Sequence, residues 1–440
     1  MPGYKKYLIA AGLLLSLTGC SNEVVNLNAQ TSTIQAKYFQ VKTKKFLPEN
    51  QYIMFALEYE YQRYFQNARE LYLKLFEETN NYEYLLKYLT LSFQLSDFKK
   101  VISLTDEYYI ENIKQEEELL RLYSLSLFKL KEFDKSIVWA KKLLAKFETD
   151  TNLELLGTFY LQAKDFSKAL DYFKRAFAIN NSANTLLTLT NIQYYYTGNK
   201  ENSKESLENY ISQNGYIYNL CIQLLSFYEQ EKDRNKILDL LNKMYENYKY
   251  KNNKEILERT RGLLVRYISQ KNLNEAIVFL ETENIKDNLL LALYRTVNDT
   301  KKAYELLNYL YIKTNNLDYL AQIAILEFEL ASDKKVVIPE VIAKFDKALE
   351  GGVKKAMYQN YLAYLLIDYN IDIKRGLDLV AKALKQEPKN LAYLDTLAWG
   401  EYKSKNCKKA YDLMKDIVHE AGLEDNEIKQ HWDKIKECTK

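Results

Sequence analysis

Histidine, cysteine and clustered carboxylates are the residues that could do chemistry in this chain, and they are sparse. Two histidines occur in 440 residues, His419 and His431. With Asp433 and Cys438 they sketch a metal site near the C-terminus, but their spacing fits no familiar ligand pattern, and no metal is expected. Glu116, Glu117 and Glu118 stand together at an expected helix start. There a solvated acidic run favours the positive end of the helix dipole. Gly351-Gly352 follows Leu349-Glu350 and reads as a helix stop. The chain has no HExxH, no GxSxG and no Walker sequence. No residue reads as an activated nucleophile or a tuned base, so neither catalysis nor a cofactor is expected.

Cys20 is set apart from the other cysteines by what precedes it. Lys5 and Lys6 are followed by an apolar run from Leu8 to Leu17. The run is too short to span a bilayer stably and is followed by small residues, which is the layout of a signal peptide. The tetrad Leu17-Thr18-Gly19-Cys20 resembles the lipobox of bacterial lipoproteins at every position. The resemblance implies cleavage before Cys20, acyl chains on its sulfur and amine, and, with Ser21 next, sorting to the outer membrane. Several acyl chains anchor stably where one alone would not. Cys221, Cys407 and Cys438 remain, none in a CxxC pair. An odd number cannot all pair internally in an oxidising compartment. Cys221 reads as a small core residue.

The elements that must carry these residues read as helices. Only 12 glycines and 4 prolines occur, too few for the turns of a strand-rich fold. Hydrophobic residues make up 47%, enough for a sizeable core, and 28% are charged, which suits a soluble surface. Lys and Arg (62) nearly balance Asp and Glu (59), so no clustered basic excess points to nucleic acid. Residues 21–48 are mostly polar and without sustained period. They read as a flexible tether with a root-mean-square reach of roughly 30 Å. Pro48-Glu49 then suits a helix start.

Residues 152–181, NLELLGTFYLQAKDFSKALDYFKRAFAINN, hold two apolar faces at helical spacing. Leu153, Leu156, Gly157 and Tyr160 form the first. Phe166, Ala169, Leu170, Phe173, Ala176 and Phe177 form the second, after a turn at Lys164-Asp165. The short turn predicts antiparallel packing, with Gly157, Ala169 and Ala176 small where the helices cross closely. A lone helical hairpin leaves much apolar surface wet, which predicts neighbours of the same kind. The twelve-residue step from one helix to the next recurs at Ala56 and Ala68, Ser124 and Ser136, Leu264 and Ala276, Leu291 and Ala303, and Ala398 and Ala410. An aromatic before the second helix recurs as Phe65, Phe98, Phe133 and Phe166.

This pattern resembles the tetratricopeptide repeat, a helix–turn–helix unit of about 34 residues. The match is strong at 150–183, where Asn181 replaces the usual late proline. It is strong again at 356–411, whose Tyr361–Leu366, Glu387-Pro388 and Tyr393–Trp399 look like the closing repeats of bacterial tetratricopeptide lipoproteins. Residues 184–216 keep the spacing more loosely, and 317–352 carry an apparent insertion around Lys334–Pro339. The resemblance implies an all-α, right-handed superhelical solenoid of about eleven antiparallel helix pairs. The organisation is then a signal peptide at 1–19, the lipidated cysteine and tether at 20–48, the solenoid at 49–422, and a polar capping helix and tail at 423–440.

Tyrosine is abundant, at 39 copies. Tyr160, Tyr194, Tyr228 and Tyr267 fall at core positions. In the family a concave groove lined by the first helices binds an extended segment or a partner helix. The family's groove positions fall here on Tyr61, Arg121, Phe128, Tyr195, Tyr196, Trp399 and Tyr402, types that make binding hot spots. The expected function is therefore a membrane-anchored scaffold in the envelope of a diderm bacterium, facing the periplasm and binding a protein partner. An accessory part of a flagellar motor, pilus or secretion machine, an outer-membrane assembly factor, and an activator of a cell-wall enzyme are the alternatives. No nucleic acid or small-molecule substrate is expected.

Overall fold

The structure, a computed structural model, describes residues 41–251 and 253–439. Leu17, Thr18, Gly19, Cys20 and the tether up to residue 40 lie outside the described residues. Among those described there are 23 α-helices and no strand. The first twenty-two form eleven consecutive pairs joined by short turns. These are α1 (Glu49–Tyr61) with α2 (Phe65–Thr79), α3 (Tyr82–Gln94) with α4 (Phe98–Tyr108), α5 (Glu116–Lys129) with α6 (Phe133–Lys146), α7 (Asp150–Gln162) with α8 (Phe166–Asn180), and α9 (Ala183–Tyr195) with α10 (Lys200–Asn214). Next come α11 (Tyr218–Glu231) with α12 (Arg234–Tyr250), α13 (Lys254–Ser269) with α14 (Leu273–Thr282), and α15 (Asn288–Thr296) with α16 (Thr300–Thr314). The last pairs are α17 (Leu317–Leu330) with α18 (Lys334–Glu350), α19 (Ala356–Asp368) with α20 (Ile373–Gln386), and α21 (Leu391–Lys403) with α22 (Cys407–Ala421), followed by α23 (Asn426–Cys438). The chain is an all-α helical-repeat solenoid. It divides into two compact units, Met1–Ser206 and Leu207–Lys440, the boundary falling inside α10.

A recurring turn explains how so few glycines suffice. Between the helices of a pair, one residue takes a left-handed conformation: Arg63, Ser96, Lys131, Lys164, Gly198 and Lys232, at intervals of 33 to 35 residues. Five of these six are not glycine. In all of these turns but that of Gly198, the following N–H returns to a carbonyl five residues back, as Asp97 to Ser92 (2.8 Å) and Asp165 to Tyr160 (3.0 Å), which satisfies a carbonyl the helix end leaves open. The next residue is then placed to start the second helix. The Asp165 and Asp233 carboxylates accept from Lys168 and Lys236 N–H.

The small residues lie at the crossings. Ala169, Ala176, Ala276, Ala303, Ala398 and Ala410 are buried, as is Gly157. A β-carbon on Gly157 would stand 2.9 Å from the Phe173 ring, well inside contact distance. In the first unit the core gathers around Tyr72, Leu75, Phe76, Leu85 and Tyr88. In the second it runs through Leu291 and Leu307, then Phe345 and Leu362, then Trp399 and Met414.

Three expectations need correcting. Residues 41–47, read as tether, lie against the first unit. Lys44 N–H donates to Thr79 O (2.8 Å), and Phe46 meets Tyr52 edge-on with ring centres 5.4 Å apart. The apparent insertion at Lys334–Pro339 is no separate loop, because α18 takes it up as extra helix with Pro339 inside. Glu116 is not solvated: it begins α5 but is 1% exposed.

Candidate partner-binding surface

The residues expected to line a groove differ in what they still present to solvent. Tyr61, at the end of α1, is 86% exposed. Tyr195 and Tyr196 close α9 and are 48% and 44% exposed. The Tyr196 ring stacks on Phe166 at 4.2 Å, and Tyr195 stands edge-on to buried Tyr194 at 5.0 Å. This adjacent pair is a two-ring shelf with a rigid backing, the kind of surface that gains contact area without losing much side-chain entropy.

Arg121 and Phe128 both lie on α5 but are already engaged. The Arg121 Nε donates to Asn152 Oδ1 (3.0 Å), and the guanidinium pairs with Glu117 (2.5 Å). Buried Asn152 donates in turn to Glu117 (2.9 Å) and to Phe147 O (2.8 Å). A second polar cluster joins α8 to α7 and α9, where Asn180 donates to Asp150 (3.1 Å) and Glu154 (3.2 Å), and the Thr185 hydroxyl donates to Glu154. Sequence reading did not anticipate this seam, because its members are 30 or so residues apart and meet only when pairs stack. Phe128 stacks on Phe159 (4.5 Å) and meets Phe133 edge-on (5.4 Å), so it joins successive pairs.

Trp399 in the second unit must be corrected from groove to core: it is 2% exposed. The α23 helix covers it, with the His431 ring stacked on the indole at 4.0 Å. Its Nε1 donates to Asp368 (3.0 Å), and Tyr402 stacks beside it at 4.8 Å. Three of the four residues that sketched a metal site take separate partners. His431 Nδ1 lies 3.0 and 3.1 Å from the two oxygens of buried Asp395, Asp433 pairs with Lys436 (2.9 Å), and Cys438 is bonded to Cys407. The disulfide ties the start of α22 to the end of α23, with Cα atoms 5.5 Å apart. Cys221 is buried and unpaired, and burial pushes its thiol up to about 12.

Many tyrosines serve inside the stack. Tyr109 donates to Glu116 (2.6 Å), Tyr123 to Asp106 (2.7 Å), Tyr245 to Glu283 (2.9 Å) and Tyr294 to Glu281 (2.7 Å). Each phenol fills apolar space with its ring and ends on a carboxylate from another helix or turn. Burial first, and then that carboxylate, holds each hydroxyl well above its ordinary range. Tyr160, Tyr194 and Tyr228 are buried, while Tyr267 is half-buried and donates to Glu229.

A further exposed surface lies on α1. Met54, Phe55 and Leu57 are each more than half exposed, and only Ala56 of the helix is buried. A signal was present in the sequence: Tyr52–Leu57 is apolar on every side, and a helix apolar all round needs cover beyond one neighbour.

No protein-family model matches the chain, and no curated protein matches it. Among solved structures it is similar to the structure of Naa15/Naa10 bound to HypK-THB, with 14% identity and a TM-score of 0.32, over 88% of this chain and 66% of that one. It is also similar to the crystal structure of the APC/C hetero-tetramer Cut9-Hcn1, with 10% identity and a TM-score of 0.33, over 90% of this chain and 91% of that one. Neither likeness bears on partners or activity.

Proposed function

We propose that this chain is a scaffold of the tetratricopeptide type that binds a protein partner and holds an envelope complex together. Acyl chains on Cys20 anchor it at the outer membrane, with its helices in the periplasm. The observation that carries the binding role is the Tyr195–Tyr196 shelf, exposed at the end of α9 and backed by Phe166. Two features support the location. Leu17-Thr18-Gly19-Cys20 follows a signal-like segment. The Cys407–Cys438 disulfide suits an oxidising compartment such as the periplasm.

Crosslinking in intact cells, followed by purification of the tagged chain, tests the binding role. One dominant partner is expected, and Tyr195→Ala with Tyr196→Ala should reduce its recovery about tenfold or more, the range of a hot-spot loss. Equal recovery from the double variant would remove the shelf from the reading. Many unrelated outer-membrane clients would point instead to an assembly chaperone. For the anchor, Cys20→Ala should lose acyl label and leave the membrane fraction; retention at the membrane without label would sink it.

A further inference from the structure

We infer that the turns inside the helix pairs of the first unit form a cationic ladder, which takes an extended acidic segment of the protein partner and leads it to the Tyr195–Tyr196 shelf. The inference rests on the shelf reading for where the segment ends, and adds the chemistry of what binds. A difference between the two kinds of left-handed turn carries it. Between pairs, the left-handed residues are Asn80, Asn112 and Asn181 in this unit, and Gly215, Asn284, Asn315, Gly352 and Gly422 beyond it. All are Asn or Gly, which tolerate that conformation. Inside pairs, Arg63, Lys131 and Lys164 adopt it here, and Lys232 and Lys405 do so in the second unit beside Asn298 and Asn370. A long cationic side chain there is less stable than glycine. Fold stability alone therefore does not account for cations in one kind of turn and none in the other.

Antiparallel pairing puts the turns inside pairs on one edge of the unit, and each of them carries an exposed cation. Where the left-handed residue is Ser96 or Gly198, exposed Lys99 and Lys100, or exposed Lys200, follow at the start of the next helix. The acids that share this edge are mostly held already: Asp97 by Arg69 (3.0 Å), Glu132 by Lys135 (2.6 Å), Asp165 by Lys168 (2.6 Å) and Glu201 by Lys204 (2.8 Å). Exposed Asp134 is outnumbered in its turn by exposed Lys129 and Lys131. Toward the other edge stand exposed Glu77, Glu78, Glu107 and Glu118. An acidic ligand is thus drawn to one edge and repelled from the other. The ladder reaches the shelf directly. Phe166, between Lys164 and Lys168, stacks on Tyr196 (4.2 Å), and the Lys200 ammonium lies over the Tyr194 ring (5.1 Å).

Spacing selects an extended polypeptide. Packed helices stand roughly 8–10 Å apart, and consecutive first helices touch, as α3 and α5 do. A polyproline II segment has three residues per turn at about 3.1 Å each, so every third side chain returns to one side after about 9 Å. One carboxylate at every third residue therefore meets one turn after another. A membrane surface fits less well. Polybasic membrane contacts gather several cations together, whereas here they are spread along an edge. The described end of the chain toward Cys20 also lies at the opposite edge, where Lys44 N–H donates to Thr79 O (2.8 Å) beside the α2–α3 turn.

The test measures binding of the full chain, purified in detergent, to a fluorescent synthetic peptide with Glu at every third position and one terminal Phe. The peptide is expected to bind, and to bind more weakly as salt is added. Lys131→Gly with Lys164→Gly should weaken it about fivefold, as loss of two exposed ion pairs does. Both changes relieve a left-handed side chain, so this variant should melt no lower than the parent, which separates lost binding from unfolding. Removing two exposed cations elsewhere, by Lys114→Gln with Lys174→Gln, should leave the affinity unchanged. Equal affinity of the two double variants overturns the inference. So does failure of the peptide to bind, or full affinity when its Glu residues are replaced by Gln. Phosphatidylglycerol vesicles or a thymidine oligonucleotide bound in place of the peptide, and lost with Lys131→Gly and Lys164→Gly, would assign the ladder to a membrane or a nucleic acid and overturn it as well. Tyr195→Ala with Tyr196→Ala separates the two readings. Loss confined to the tyrosine variant keeps the shelf and sinks the ladder, and loss confined to the lysine variant does the reverse.

Discussion

At the scale of single residues, space and charge decide what each side chain is for. Gly157 and Gly262 are both helical, yet a β-carbon on Gly157 meets the Phe173 ring and one on Gly262 meets nothing within 4 Å. Gly157→Leu should therefore destabilise by about 1–3 kcal/mol through overpacking. Gly262→Ala should stabilise by about 0.5–1 kcal/mol, because a helical glycine costs backbone entropy. Chemical denaturation of both variants checks the opposite signs. Glu116 gives a pH dependence. Burial pushes its carboxyl up, but Lys146 (2.6 Å), Tyr109 (2.6 Å) and the Asn112 N–H (2.7 Å) outweigh this and hold it below its ordinary 4.5. Its folded pKa lies below its unfolded one, so the stability it adds is full above that ordinary value and is lost as pH falls through the folded value. Glu116→Gln should cost about 1–3 kcal/mol at neutral pH and flatten the acid limb of the stability profile.

At the scale of elements, the turns and the ties between helices carry the measurable effects. Lys131 and Lys164 sit in the left-handed region, which costs a side-chain-bearing residue about 1 kcal/mol. Lys164→Gly should raise the melting temperature, and the same change in mid-helix should lower it. The Cys407–Cys438 bond closes a loop across 31 residues of separation, so its reduction should destabilise the α22–α23 end by about 2–4 kcal/mol. Faster hydrogen exchange confined to α21–α23 after reduction is the readout. Inter-helix tyrosines give the opposite pH limb to Glu116. Their folded pKa values are raised, chiefly by burial and then by a carboxylate. Stability is therefore full below the ordinary tyrosine value of 10.0 and is lost above it, where the unfolded chain ionises first. Alkaline unfolding should coincide with the rise of tyrosinate absorbance, and Tyr123→Phe should delay it.

At the scale of the whole molecule, stability in a repeat array is close to a sum of nearest-neighbour terms. A change at Gly157 should therefore speed hydrogen exchange through α7 to α9 and leave α19 to α22 unaltered. An equal effect in both units would show that they unfold as one. The same local character bears on function, because each surface patch belongs to one or two helix pairs. Tyr195→Ala with Tyr196→Ala should thus leave hydrogen exchange in α19 to α22 unaltered, since those helices lie several pairs away in the chain.

Much of the architecture was legible in order along the chain. The twelve-residue step between small residues, the recurring Phe65, Phe98, Phe133 and Phe166, and the scarcity of glycine and proline all report on contacts within one helix pair. Those contacts are local, so periodicity carries them. They set the helix class, the count of eleven pairs and the closing polar helix. What lay beyond reach was decided between pairs. Trp399 occupies a groove-like position in its own helix and is buried only because α23 lies over it. Glu116 looks like a solvated acid until Lys146 and Tyr109 fold onto it. Cys407 found Cys438, and His431 found Asp395, across 31 and 36 residues. Residue types and spacing determine which face of a helix is apolar. Only the stacked structure determines which of those faces is covered, because burial belongs to the neighbour as much as to the residue.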